Sequence, residues 1–378
     1  AHYCDAKQGF IAWDCARQPL SNGPYTLQEW VVGDHLTFAK NPDYYQEGKP
    51  TIEQITVRIV PDDTVRKTML LNGDAHVIPW VTEPIAHELE SETGVTLSIS
   101  PTSRWVMRLF PNLAARGTTD PVAAPHPVLS DLSVRQAIRG AIDVNTISDE
   151  LFYGYGDPVW SEFFRPPYNT CNIPRPAYDP EASRALLESA GWTDSDADGI
   201  RECHGCATAE EGYVMEIEII TYSEYGEVLA LTEQLIGEQL NSIGIGTRLT
   251  VMEGSVMWAD SASGGIEQLG DFDLDLYDDG YAGVDPTDFL WQYYAADAAL
   301  PDYGWNVGRW YNEEFEGLLS EAYTLDEAYR QEIFCRMAEI FYEEVPQILL
   351  FTTINADAFH NQLSGLQSSP NDMVAWNV

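Results

Sequence analysis

The stretch Asp273-Leu274-Asp275-Leu276-Tyr277-Asp278-Asp279-Gly280-Tyr281-Ala282-Gly283 sets carboxylates beside aromatic rings at the end of an alternating apolar and acidic run. Period-two alternation reads as a strand. The glycines that follow read as a loop beyond the strand's end, where a rigid scaffold presents binding groups. Asp278 and Asp279 can orient a polar ligand by hydrogen bonding, and Tyr281 can add an aromatic face. Trp105, Trp160, Trp310 and the pair Trp305-Asn306 are further candidates. Trp105 lies near an expected domain crossing, and Trp305 follows the acidic segment in a glycine-flanked loop. Each tryptophan has the competing role of filling a core.

Two other groups of residues have ligating chemistry. Asp194, Asp196 and Asp198 precede Gly199 with the odd-position spacing of a calcium loop, in which alternate oxygens converge on a hard cation. The twelfth position is Gly205 where such a loop has a bidentate glutamate, so the run reads as a calcium site or as a solvated acidic turn. Cys4 with Cys15 and Cys203 with Cys206 would close short loops, leaving Cys171 and Cys335 for a long-range pair. The alternatives are a buried apolar thiol at Cys335, and half a zinc site or a redox motif in Cys203-His204-Gly205-Cys206, for which no second CxxC exists. Oxidised cysteines place the chain outside the cytoplasm. HExxH, GxSxG and phosphate-binding glycine loops are absent, and no cofactor other than calcium is expected. A secreted acidic hydrolase is the rival from another functional class.

The whole chain bounds these possibilities. Its 20 basic against 60 acidic residues give a net charge of -40, which excludes a nucleic-acid backbone as partner. The only lysines are Lys7, Lys40, Lys49 and Lys67, so every later fixed cation is an arginine. The acids read as a solvated, mutually repelling surface that maintains solubility. A 44% hydrophobic, 21% charged composition is that of a globular protein, 378 residues suffice for two domains, and no apolar run reaches membrane-spanning length.

The elements that must position the candidates are mixed α/β. Tyr25 to Phe38 reads as a hairpin around Gly33-Asp34, Ile55 to Ile59 as a strand, and Thr64 to Leu71 as a helix closed by Asn72-Gly73. Val134, Ala137, Ile138, Ala141 and Ile142 share a helical face capped by Asp131, and Asp179-Pro180 opens another helix. Met215 to Ile219, Glu227 to Ile243 and Thr247 to Val251 form a strand, helix, strand unit, which requires parallel strands. Ile333 to Phe341 is a buried helix and Ile348 to Phe351 a buried strand.

In this order the chain resembles the family 5 extracellular solute-binding proteins, the peptide, nickel and oligosaccharide receptors of ABC importers. The resemblance is carried by Gly23-Pro24-Tyr25, Asn41-Pro42-Asp43-Tyr44-Tyr45, Val134-Arg135-Gln136-Ala137-Ile138 with Ala141-Ile142-Asp143, and Tyr178-Asp179-Pro180 with Ala190-Gly191-Trp192. Asp194 to Arg201 and Asp285-Pro286-Thr287-Asp288-Phe289-Leu290 complete it. It implies a two-lobed α/β periplasmic-binding-protein-like fold of type II, cluster C-like. Residues 1–104 and 351–378 are expected in lobe I and residues 105–350 in lobe II. Family members carry a long stretch before the Gly-Pro-Tyr segment, so lobe I is expected to be partial here and the chain a fragment.

The resemblance further implies a periplasmic or extracellular monomer, membrane-anchored through an N-terminal lipid absent from this chain, that delivers a solute to a membrane permease. Peptide-binding members present an aspartate four positions before the proline of the last segment, where it pairs with the ligand's amine. Here that position is Ala282. Either Asp278 or Asp279 takes over or the ligand has no free amine, which favours an oligosaccharide over an oligopeptide, with nickel complexes behind both.

Overall fold

The computed structural model describes residue 19, residues 21–100 and residues 103–368. Strands β1 (Tyr25–Val31) and β2 (His35–Lys40) form the expected hairpin. Gly33 turns it at a φ of 77°, a left-handed backbone that glycine adopts without a Cβ penalty. β3 (Gln54–Arg58) adds antiparallel to β2. Helix α1 (Asp63–Asn72) starts where the Asp62 carboxylate accepts from the Val65 N–H at 2.7 Å and stops at Gly73 in αL, the stop being the one the sequence predicts.

Next come β4 (Val77–Ile78), α2 (Glu83–Leu89) and β5 (Val95–Ile99). After them the chain crosses to a larger sheet, where β6 (Val106–Pro111) is buried along its whole length. The region after β6 carries α3 (Leu132–Ala141), α4 (Val144–Leu151), α5 (Pro180–Ser189) and the short ribbon of β7 (Trp192–Thr193) and β8 (Glu202–Cys203). The predicted strand, helix, strand unit is β9 (Glu216–Tyr222), α6 (Glu227–Ser242) and β10 (Gly246–Met252), its strands parallel. Two single-turn helices, α7 (Gly254–Met257) and α8 (Ile266–Leu269), lead into β11 (Leu274–Asp279). Helices α9 (Thr287–Tyr294), α10 (Glu313–Glu321) and α11 (Glu327–Glu344) precede β12 (Ile348–Thr352). The chain then crosses back to β13 (Ala356–His360).

The larger sheet has the order β10-β9-β11-β6-β12. Its two faces are both covered, which explains why β12 reads as an apolar run. Leu274 and Leu276 pack with Val134, Ile138, Leu229 and Ile236 of α3 and α6 on one face, and Phe110 and Tyr277 with Leu290, Phe315 and Phe334 of α9 to α11 on the other. Each fully buried leucine of this kind contributes about 1.5–3 kcal/mol. β13 is the centre of a separate three-stranded sheet, β4-β13-β5, whose small core includes Leu70, Ala86, Leu89 and Ala358.

Cys171 pairs with Cys335, joining the segment before α5 to α11, and Cys203 pairs with Cys206. The pairing expected for Cys4 and Cys15 lies outside the described residues. Among the described residues no helix is long and apolar enough to cross a membrane.

Candidate functional site

The acidic segment ends beside both chain crossings. Val106, the first residue of β6, faces Asp279 of β11 on one side and Thr352 of β12 on the other. The crossings are bonded to each other: the Ser100 N–H donates to the Asn355 carbonyl at 2.9 Å, and the Thr353 N–H to the Trp105 carbonyl at 3.1 Å. A Cβ on Gly280 would lie 1.7 Å from the Arg104 carbonyl oxygen, so only glycine lets the strand end run this close to the first crossing.

Asp278 and Asp279 both lie at this junction. One Asp278 oxygen accepts from the Thr353 hydroxyl at 2.9 Å and the other from the Tyr222 hydroxyl at 3.3 Å. Burial raises its pKa above the ordinary carboxylate range. Asp279 accepts from the Gly280 N–H at 2.6 Å, and burial pushes its pKa up to about 6 against the opposing charge of Arg108. Glu83, the first residue of α2, adds a third carboxyl, and this one is buried: it accepts from the Ile354 N–H at 2.9 Å and the Tyr225 hydroxyl at 3.4 Å, and burial raises its pKa to about 7. Trp105 borders the junction with the Arg104 guanidinium 3.9 Å above its ring. Trp258 and Tyr222 stand against each other, ring centroids 4.7 Å apart.

The other candidates are placed differently. Tyr281 is 3% exposed and its ring is covered by the Arg165 guanidinium at 4.0 Å, so it supports the loop from below, while Ala282 opens an exposed turn. Trp305 and Asn306 belong to a loop held by α9: the Trp305 N–H donates to the Gln292 carbonyl at 2.8 Å. The Asn306 amide donates to the carbonyls of Ala295 and Trp310, at 3.0 and 2.8 Å, which accounts for both its N–H groups. Trp160 donates to the Ile173 carbonyl at 2.9 Å, and Trp310 is a core residue bonded to Glu344.

Sequence reading overlooked several residues of the junction. Glu83, Tyr222, Tyr225 and Thr353 stand in separate parts of the chain with no spacing signal, and only the fold brings them to Asp278. Arg108 is fully buried in β6, where its guanidinium bonds Glu162, Gln347 and the Asp279 carbonyl and fixes the end of β11. Trp80 is 62% exposed at a φ of 52°, and its N–H donates to Asp357 at 3.4 Å, just beyond the second crossing. Proline before it and a positive φ are local peculiarities that no periodicity analysis registers.

The acidic turn is a separate feature. Asp194, Asp196 and Asp198 do converge, joined by Glu202, with one oxygen from each within 4.8 Å of the others. Glu202 stands ninth from Asp194 and adds a fourth carboxylate to the three aspartates, while the twelfth position remains Gly205. Gly199 makes the sharp bend at a φ of 96°, and the donor set, all carboxylate oxygen, suits a hard cation such as calcium.

Comparison with known proteins agrees with this architecture. Residues 4–300 match the model of the bacterial extracellular solute-binding proteins, family 5 Middle. The glutathione-binding protein GsiB of Salmonella paratyphi A is 26% identical over 362 residues, 94% of this chain and 63% of the relative. The chain thus spans less than two thirds of that relative's length. NikZ from Campylobacter jejuni in complex with Ni(L-His) superposes with a TM-score of 0.82 at 21% identity, covering 96% of this chain and 68% of that one. The oligopeptide-binding protein AppA from Bacillus subtilis in complex with a nonapeptide gives 0.75 at 21% identity, covering 93% and 64%. These likenesses establish the two-lobed α/β binding-protein fold.

Proposed function

Because the chain belongs to the family 5 bacterial extracellular solute-binding proteins, we propose that it captures a small solute at the junction of β11 with the two crossings and delivers it to the permease of an ABC importer. We read it as a periplasmic or extracellular monomer, held at the membrane by an N-terminal lipid. The observation that supports this most is the register that puts Asp279 and Thr352 on either side of Val106. Binding groups on β11 thereby meet the segments about which two lobes would close. Residues 1–104 with 351–378, and residues 105–350, are the lobes we propose.

For the solute, Asp278 and Asp279 supply negative charge four and three positions before Ala282, where the family's peptide receptors place their aspartate. An oligopeptide is therefore the class we propose. An oligosaccharide, which Ala282 by itself favours, is the second reading: the Asp278 carboxylate already accepts from two hydroxyls. Trp105 and Trp80 are the stacking faces for either. GsiB and AppA are binding proteins by name, which supports capture without turnover over the hydrolase alternative.

Native mass spectrometry of the protein as isolated tests the proposal. Retained masses in amino-acid increments support the peptide, hexose increments support the sugar, and a solute that is consumed on incubation would overturn the binding-protein reading.

A further inference from the structure

Two carboxyl groups in this molecule hold consecutive residues of the second crossing. Asp278, on β11, accepts from the Thr353 hydroxyl at 2.9 Å, and Glu83, on α2, accepts from the Ile354 N–H at 2.9 Å. Each has a second partner on the larger-sheet side, Tyr222 for Asp278 at 3.3 Å and Tyr225 for Glu83 at 3.4 Å. Glu83 is 1% exposed although it belongs to the helix that packs on the smaller sheet, because it reaches out of that core toward Tyr225. A carboxyl so buried is costly unless its oxygens find donors. Both of its donors here belong to groups whose positions change if the two sheets rotate about the crossings.

We propose that Glu83 and Asp278 form a clasp on Thr353-Ile354 that sets the closed arrangement of the two sheets, with Glu83 as a positioning residue. The rest of α2 agrees. His87 stacks on Tyr153 with ring centroids 4.3 Å apart, and the Tyr155 hydroxyl donates to Glu90, so the helix meets the larger-sheet side at both of its ends. Helix α1 approaches the same side: a Cβ added to Gly226, just before α6, would lie 3.3 Å from the carboxylate of Asp63, the first residue of α1.

The proposal deepens the solute-capture reading and gives it a coupling route. A solute donor that engages Asp278 competes with the Thr353 hydroxyl for the same oxygen, so occupancy and the position of the second crossing become linked. Binding energy differing between two arrangements is what a ligand needs to shift the balance between them.

Hydrogen exchange of the unliganded full chain, read on fragments spanning 350–356, tests the clasp without knowledge of the solute. Glu83→Ala and Thr353→Val are each expected to speed exchange of the Ile354 region by about tenfold, the scale of one hydrogen bond's net contribution. Glu83→Gln keeps an acceptor for the Ile354 N–H and is expected to stay near the wild-type rate. Exchange in Glu83→Ala and Thr353→Val indistinguishable from wild type, or Glu83→Gln as fast as Glu83→Ala, would overturn the proposal. A protein that retains no solute would instead count against the solute-capture reading and leave the exchange result standing.

Discussion

The two ends of one strand treat the same residue type in opposite ways. At the start of β11, Asp273 has nearby cations. It accepts from His126 at 3.0 Å and from the Glu218 N–H at 2.7 Å, and the Arg116 guanidinium lies 3.7 Å away. Burial pushes its pKa up, but these donors outweigh burial and hold it below the ordinary aspartate value. Further along, Asp275, Asp278 and Asp279 have raised pKa values, burial being the leading cause in each. A pocket of about 660 Å³ opens at the Asp273 end, lined by Arg116, His126, Glu218 and Arg248 among others. Its charged groups are already bonded to one another, Arg116 and Arg248 both to Glu218, which makes it a structural network. The far end has carboxyls in excess of bonded cations, the imbalance that a solute can redress.

Replacing Arg108 tests the far end most severely. Arg108→Met leaves Glu162, itself 2% exposed, as a buried charge with only the Tyr294 hydroxyl as donor. The expected loss is about 3–5 kcal/mol in urea unfolding at neutral pH. A loss below about 1 kcal/mol would mean that the network does not fix β11.

Asp273→Asn probes the balanced end, with an expected cost of about 1–3 kcal/mol at neutral pH. Because the folded-state pKa of Asp273 is depressed, its contribution is present above the unfolded value and is lost as pH falls through the folded one. The gap between wild type and variant should therefore close in acid.

Asp275→Asn has the opposite sign. Asp275 is fully buried, and burial together with the Glu267 carboxyl beside it raises its pKa. Its raised pKa means that the neutral acid is the stable folded form, with a contribution present at low pH and lost as pH rises through the folded value. Asparagine mimics that neutral form, so thermal unfolding should show little difference below the ordinary aspartate pKa and a variant increasingly more stable than wild type as pH rises from there toward the folded value. Parallel profiles across that range would show that Asp275 is ionised throughout.

The smallest effect belongs to the acidic turn. Millimolar calcium, but not magnesium, is expected to raise the thermal midpoint by a few degrees, and Asp196→Asn to abolish the rise. A calcium response unchanged in Asp196→Asn would assign the ion to another place.

Much of the framework was legible because its signals are local. The hairpin at Gly33, the Asp131 and Asp179 caps and the parallel pair β9 and β10 all follow from residues near in sequence. The acid-rich strand end was legible too, as alternation followed by glycine. Glu202 was overlooked because attention fell on the twelfth position, whereas the fold brings a carboxylate from the ninth to the three aspartates. Trp305 and Asn306 were drawn to the site by proximity in sequence. In the fold, the Asn306 amide braces its own loop.

By itself the sequence determined the charge regime, the order of helices and strands, and Asp278-Asp279 as the acids of a strand end, because propensity, capping and periodicity act over a few residues. Only the tertiary structure decided that Glu83, Tyr222, Tyr225 and Thr353 surround those acids, and that the pKa of Asp273 is shifted down and that of Asp278 up. A carboxylate's pKa depends on burial and on charges within a few ångströms. Those neighbours come from β6, β9, α2 and β12 or its continuation, brought together by a sheet order that no local pattern encodes.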